Sequence, residues 1–142
     1  MNYKILSILL LILLASCNNN EEEDFNEVFF KTIYKGHMSY SNANPISKQY
    51  QVFEKRESWI NFIGVIENLH PSTADALKNI SFDFDTNNLG IVVGQFYSSC
   101  CSEIEILKIY TENNSTKIDF TETEPGMAAA LSQAFVIVEI SK

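Results

Sequence analysis

Phe135-Val136-Ile137-Val138-Glu139-Ile140 is apolar at five of six successive positions, and that run constrains the fold more than any other part of the 142-residue chain. A strand with one wet face alternates apolar and polar side chains, whereas a run of β-branched and aromatic residues needs cover on both faces. The segment therefore predicts a central strand with structure packed above and below it. Four further extended segments are expected in the same half of the chain: Ile80 to Phe84, Gly90 to Tyr97, Ser102 to Tyr110 and Lys117 to Thr123, with the last strand running from Ala134 to Ile140. The links Asp85-Thr86-Asn87-Asn88 and Glu112-Asn113-Asn114-Ser115 are short, polar and Asn-rich, which suits hairpins. A parallel crossover needs a dozen residues or more, so the neighbours should be antiparallel.

The first half contributes two strands and the helical material. Val28-Phe29-Phe30-Lys31-Thr32-Ile33-Tyr34 reads as a strand ending in a turn at Lys35-Gly36, and Lys48-Gln49-Tyr50-Gln51-Val52-Phe53 as a second, after a loop over Ser39 to Pro45. Trp59, Ile60, Phe62, Ile63, Val65, Ile66 and Leu69 recur at three- and four-residue spacing behind Ser58, a candidate N-cap, and predict a helix whose broad apolar face is buried. Pro71 disfavours helical conformation at His70 and should stop it there. A shorter helical turn is expected over Ser72 to Lys78, capped by Ser72 or Thr73 with Asp75 in its first turn. The fold class is α+β: an antiparallel β-sheet or small sandwich with one packed amphipathic helix, behind a lipoprotein signal peptide.

That signal is carried by Ile5 to Leu14, ten residues behind Lys4, followed by Ala15-Ser16-Cys17. The apolar stretch is short for a spanning helix, which needs roughly 20 residues. Small residues before a cysteine form a lipobox, in which the thiol of Cys17 receives the lipid that anchors the mature chain. More than one acyl chain is needed because one alone binds membranes marginally. The expected organisation is a signal peptide over 1–16, the lipidated Cys17 with an acidic tether over 17–26, and a single globular domain over 27–142. Asn18-Asn19-Asn20-Glu21-Glu22-Glu23-Asp24 has no apolar content and should be solvated. Its acidity also resembles signals that send lipoproteins to the outer face of the outer membrane, so both surface display and the periplasmic leaflet stay open.

Removing 16 residues leaves 142 − 16 = 126, enough for one core. The mature charge is 9 − 18 = −9 once Lys4 is gone. Nucleic acid is not an expected partner, since a phosphate backbone is bound through a basic patch. Cys100-Cys101 is the unusual pair of the mature domain. In an oxidising envelope such thiols do not stay reduced, which leaves a vicinal disulfide, disulfides to another chain, or alternating thiols with one buried. No metal is expected, because two adjacent cysteines with His37 and His70 far along the chain make no recognisable ligand set. No cofactor is expected either. No Gly-x-Ser-x-Gly elbow accompanies the two histidines, and catalytic residues are not assigned. Glu103 and Glu105 share a strand face opposite Ile104 and Ile106 and read as solvated carboxylates. Phe96-Tyr97 offers either an exposed aromatic patch or core packing by one ring.

Several motifs taken together resemble a known family. Glu57-Ser58-Trp59, Phe82-Asp83-Phe84, the glycine-punctuated Gly90 to Gly94, Ser102-Glu103-Ile104-Glu105-Ile106, Glu124-Pro125-Gly126 and the closing Phe135 to Ile140 are similar to the PrcB-like C-terminal domain of protease-associated bacterial lipoproteins. The resemblance covers Ser58 to Ile140. It implies a non-catalytic domain, secreted or lipid-anchored, that associates with an extracellular protease and supports its stability. This chain departs from the family in having Cys100-Cys101-Ser102 where a glycine turn is usual, and Ala134 where proline is. The expected function is that of a lipid-anchored envelope protein contacting a protein partner, such as an envelope protease, through Cys100, Cys101 and Ser102. The alternative is a small module for a glycan or other small ligand, which would present a concave, aromatic-lined pocket.

Overall fold

The computed structural model describes residues 26–39 and 45–142. The lipobox with Cys17, the acidic tether and most of the expected Ser39 to Pro45 loop lie outside the described residues.

Among the described residues, seven strands and two helices form three layers. The strands are β1 (Asn26–Glu27), β2 (Phe30–Ser39), β3 (Gln49–Phe53), β4 (Asn87–Tyr97), β5 (Ile104–Glu112), β6 (Ser115–Glu122) and β7 (Ser132–Ser141); the helices are α1 (Arg56–Leu69) and α2 (Pro71–Lys78). One sheet has the order β2-β7-β4-β3 and the other β1-β5-β6, and every pairing is antiparallel. The α+β class read from the sequence holds, in its sandwich form with helices on the outer face.

β7 lies between β2 and β4, and seven of its first seven residues are buried. The double-sided apolar run explains this. Phe135 and Ile137 face the helices with Met38, Phe53, Trp59, Ile63, Ile66, Leu77, Leu89 and Ile91, while Ala134, Val136, Val138 and Ile140 face the second sheet with Val92, Ile104, Ile109 and Ile118. The period-two alternation of one strand thus feeds two separate cores. The hairpin between β5 and β6 also forms as read. Asn113 and Asn114 hold φ of 49° and 59°, the left-handed pair that a two-residue turn of matching twist requires and that asparagine tolerates.

Other local readings are corrected. Ile80 to Phe84 is not a strand: Arg56 donates to the Phe82 carbonyl (3.1 Å), Phe82 drops into the helix-side core, and Phe84 meets it edge-on at 4.7 Å. With no strand before it, Asp85 to Asn88 makes no hairpin, and Asn87 and Asn88 already belong to β4. Lys35-Gly36 does not turn either. β2 runs through it to Ser39, with a bulge between Thr32 and Tyr34 absorbing the irregularity and Gly36 sitting opposite Phe135.

Helix α1 starts at Arg56 rather than at Ser58. Lys55 is the extended N-cap, and its carbonyl accepts from the Trp59 amide (3.3 Å). The buried stripe is narrower than expected: Trp59, Ile63 and Ile66 are buried, but Ile60, Val65 and Leu69 are exposed. Ile60 lies on one flank of the buried stripe and Val65 and Leu69 on the other, and an aliphatic side chain there gains cover only if another element reaches it. The helix does end at Leu69. His70 closes α1 by donating its amide to Ile66 (2.6 Å) and opens α2 by accepting from Ala74 (3.0 Å), so α2 begins at Pro71 rather than Ser72, and Asp75 falls in its second turn. Among the described residues, no helix is long and apolar enough to cross a membrane.

Candidate functional site

The site singled out by the cysteine pair lies where β4 ends, β5 and β7 begin, and β6 finishes. Four strand ends converge there, so the connecting backbone has to find its hydrogen bonds outside the ladders. Several of these bonds tie the segments to one another. The Cys100 amide donates to the Ala128 carbonyl (2.8 Å), joining the cysteine turn to the segment before β7. Ser132 Oγ donates to the Ser99 carbonyl (3.2 Å). Glu103 exchanges two bonds with Thr123, one through the threonine hydroxyl and one through its amide, each 2.9 Å. Gly126 comes so close that a Cβ there would stand 2.9 Å from the Cys100 carbonyl oxygen, which gives the glycine of Glu124-Pro125-Gly126 a packing role.

Cys100 and Cys101 are joined as a vicinal disulfide across a cis peptide bond. Cys101 is exposed, Cys100 half-buried and Ser102 fully buried. The three residues read as one site from the sequence therefore divide into an exposed tip and a buried root.

That root is held by a carboxylate. Glu122, at the end of β6, has a side chain only 3% exposed and accepts from Ser102 Oγ (2.8 Å), from the Gln95 amide (2.9 and 3.1 Å to its two oxygens) and from Lys48 Nζ (3.2 Å). Ionised oxygens held by several donors make short, strong bonds. Lys48 also lies 5.4 Å over the Phe120 ring. The carboxylate fits against the β4 backbone because Gly94 has no Cβ, which would overlap Glu122 Oε1. Beside it, partial burial holds the Tyr97 phenol above its ordinary pKa; Glu122 and Glu124 push the same way and Lys48 opposes them.

A second anchor is Gln133, fully buried on β7. Its amide donates to the Ile46 carbonyl (2.5 Å) and to the Gly94 carbonyl (2.8 Å), and its oxygen accepts from the Ile46 amide (3.2 Å). The chain entering β3 is thereby clamped at both polar groups of one residue. Neither Glu122 nor Gln133 was singled out from the sequence. A glutamine inside an otherwise apolar strand was the available signal for Gln133, since a buried amide needs partners; Glu122 carried none.

His37 Nε2 donates to the backbone carbonyl of Ser102 (2.7 Å), which sets the tautomer of the ring. The Ser102 hydroxyl goes to Glu122 instead. Histidine, serine and carboxylate thus meet, but not in the nucleophile–base–orienter order of a hydrolytic triad, and Ser102 is closed to solvent. The hollow beside them, lined by His37, Ser102, Ala134 and Phe135 among others, holds about 140 Å³, below the usual range for a substrate. His70 is buried at the junction of the helices, and Glu103 and Glu105 are exposed. Among the described residues, no three His, Cys, Asp or Glu side chains gather as a metal-ligand set.

No family model, curated protein or solved structure matches this chain.

A second hollow sits at the opposite ends of the strands. Glu27, Phe29, Asn88, Thr111, Thr116 and Lys142 border a hollow of about 520 Å³ there. Phe29 is 77% exposed, and the buried Asn88 Oδ1 has no partner among the described residues.

Proposed function

We propose that this is a lipid-anchored cell-envelope protein whose non-catalytic domain binds, and stabilises, a protein partner such as an envelope protease. The contact surface is the Cys100-Cys101-Ser102 turn together with the neighbouring loop from Gly126 to Leu131. The observation that carries the reading is polarity of placement. β1, which follows the tether leading from Cys17, pairs Asn26 with Thr111 at one end of the sandwich, while the cysteine turn caps the other, across the ten residues of β7. At about 3.3 Å per residue that separation is roughly 30 Å, so a tether from Cys17 joins the domain at the end opposite the turn and leaves the turn free of it.

The chemistry of the surface supports a protein partner. Met127 is fully exposed and Leu131 is 38% exposed beside the exposed Cys101, while the backbone beneath is held by Ala128, Ser132 and Ser102. A flexible thioether on a preorganised loop adapts to an apolar pocket at little entropic cost. Resemblance to PrcB-like domains supplies the protease as partner class.

Crosslinking in native envelope followed by capture of the full chain tests this, comparing the parent with Met127→Asp and with a Cys100→Gly, Cys101→Gly form. The parent should retain one protease that the variants lose, and that protease should decay faster in cells lacking the chain. Recovery of the same bulk envelope proteins from all forms would overturn the reading.

Phe29 and the adjoining hydroxyls of Thr111 and Thr116 favour a second reading, a carbohydrate laid on the ring at the tether end. Calorimetric titration with envelope glycan fragments, parent against Phe29→Ala, decides it.

A further inference from the structure

Among the described residues the two sheets have four edges, and two of them carry devices that discourage another strand. β2 presents the exposed Lys31 and Lys35 and a bulge between Thr32 and Tyr34, and β6 carries Lys117 and Asp119. Charges, bulges and shortness are the usual protections of a free edge. β3 has none of them. Gln49-Tyr50-Gln51-Val52-Phe53 contains no charge, proline or bulge, it pairs with β4 alone among the described residues, and Gln49, Tyr50 and Gln51 are exposed.

We propose that β3 is an interface for a second copy of this chain, the two β3 strands pairing antiparallel about a two-fold axis at Gln51. The choice of occupant follows from register. In an antiparallel ladder, opposed residues either both point their amides at the partner strand or both point away, and the same backbone parity holds in two identical strands. Opposed residue numbers in a self-pair must then sum to an even number. A sum of 104 or of 100 opposes only three residues of each β3. A sum of 102 opposes all five, including Gln51 with itself and Tyr50 with Val52, and brings Lys48 and Glu54, one residue beyond either end of the strand, toward each other twice over by symmetry.

Each of those pairs is of a kind that stabilises neighbouring strands: aromatic on β-branched, amide on amide, and opposite charges. The faces agree too. Val52 packs toward the second sheet and Lys48 reaches Glu122 and Phe120 on it, so the even-numbered side chains share one side. Lys48 remains 45% exposed while bound to Glu122, and Glu54 is exposed, so the cross-strand contact does not require breaking the internal one. The assembly joins two four-stranded sheets into one continuous sheet, with the helices of both copies on the same face. An isologous contact of this kind closes on itself and stops at two copies.

Cysteine crosslinking of the full chain in detergent tests both the contact and its register. Gln51→Cys should give a disulfide dimer under mild oxidation, with the 51–51 linkage identified by mass spectrometry. Gln49→Cys should not, because position 49 opposes 53 and its own copy lies four residues away. Adding Glu54→Lys to Gln51→Cys should lower the dimer yield several-fold by placing like charges against Lys48. Equal yields at 49 and 51, linkage at 49 alone, or none at 51 would overturn the proposal. Both substituted positions are exposed. If either variant nevertheless failed to fold, sedimentation of the unsubstituted chain decides instead: concentration-dependent dimer weakened by Glu54→Lys supports the pairing, and monomer throughout overturns it.

Discussion

The two ends of the sandwich are built from the same strands and satisfied in opposite ways. At the cysteine end, Glu122 holds three separate donors and Gln133 makes three hydrogen bonds, tying β3, β4, β6, β7 and the turn into one network. At the tether end a broad hollow opens, Phe29 stands in solvent and Asn88 Oδ1 is buried without a partner among the described residues. The contrast teaches where rigidity was placed. Fully satisfied buried polar networks hold one geometry, because every alternative leaves a desolvated group unpaired. The end carrying the exposed Met127 and Cys101 is therefore the one whose backbone is held firm.

Substitutions that empty the network should do most damage. Gln133→Ala leaves the Ile46 amide and carbonyl and the Gly94 carbonyl without their partner and opens a small cavity, at a cost of about 3 kcal/mol. The urea midpoint should fall with the slope unchanged; a loss below about 1 kcal/mol would mean that the clamp on Ile46 is dispensable. Glu122→Ala comes next, at about 2 kcal/mol, because Ser102 Oγ and the Gln95 amide lose their acceptor whereas the half-exposed Lys48 regains water.

At the tether end the sign should reverse. Asn88→Leu removes an orphaned polar atom at similar volume and should stabilise by about 1 kcal/mol, read as a raised melting temperature. A drop would show that Asn88 finds a partner in solution, and would erase much of the difference between the ends. Met127→Asp should move stability by less than about 0.5 kcal/mol, since a fully exposed side chain packs on nothing. Its loss of partner capture, judged against intact stability, separates contact from folding.

The smallest effect concerns Asp83, in the segment leading to β4. The Asp85 amide, and after it the Thr86 hydroxyl, holds its carboxyl below the ordinary aspartate pKa. A depressed native pKa contributes stability that is present above the unfolded value and lost as pH falls through the native one. Asp83→Asn should flatten the acid limb of the stability profile slightly and leave neutral pH almost unchanged, measurable by thermal melts across that range.

How far the sequence could be read depended on how local the cause was. The β5–β6 turn was legible because Asn113 and Asn114 satisfy a requirement of their own backbone. The end of α1 was legible because Pro71 acts on its neighbour. Ile80 to Phe84 was misread because its β-like composition was overridden by Phe82 entering the helix-side core and by Arg56 bonding the Phe82 carbonyl. The start of α1 was misplaced by a capping preference at Ser58 that the packing of Trp59 did not require. Within the candidate site, the cysteine pair was visible as an oddity of composition. Glu122 was not, for one of eighteen acidic residues looks like any other until Lys48, Gln95 and Ser102 are brought around it from 20 to 74 positions away.

The sequence by itself determined the α+β class, the antiparallel pairing, the doubly buried final strand and the asparagine turn, because periodicity, loop length and left-handed backbone preference act over a few residues. Tertiary structure alone decided that the sandwich has a core on either face of the β7 sheet, that the helical face is half covered, that the Ser102 hydroxyl goes to a carboxylate rather than to His37, and that β3 pairs on one side only among the described residues. Each of those depends on which distant groups share a small, water-poor volume, and the energy of a buried polar atom or an open strand edge is set by its neighbours in space rather than in sequence.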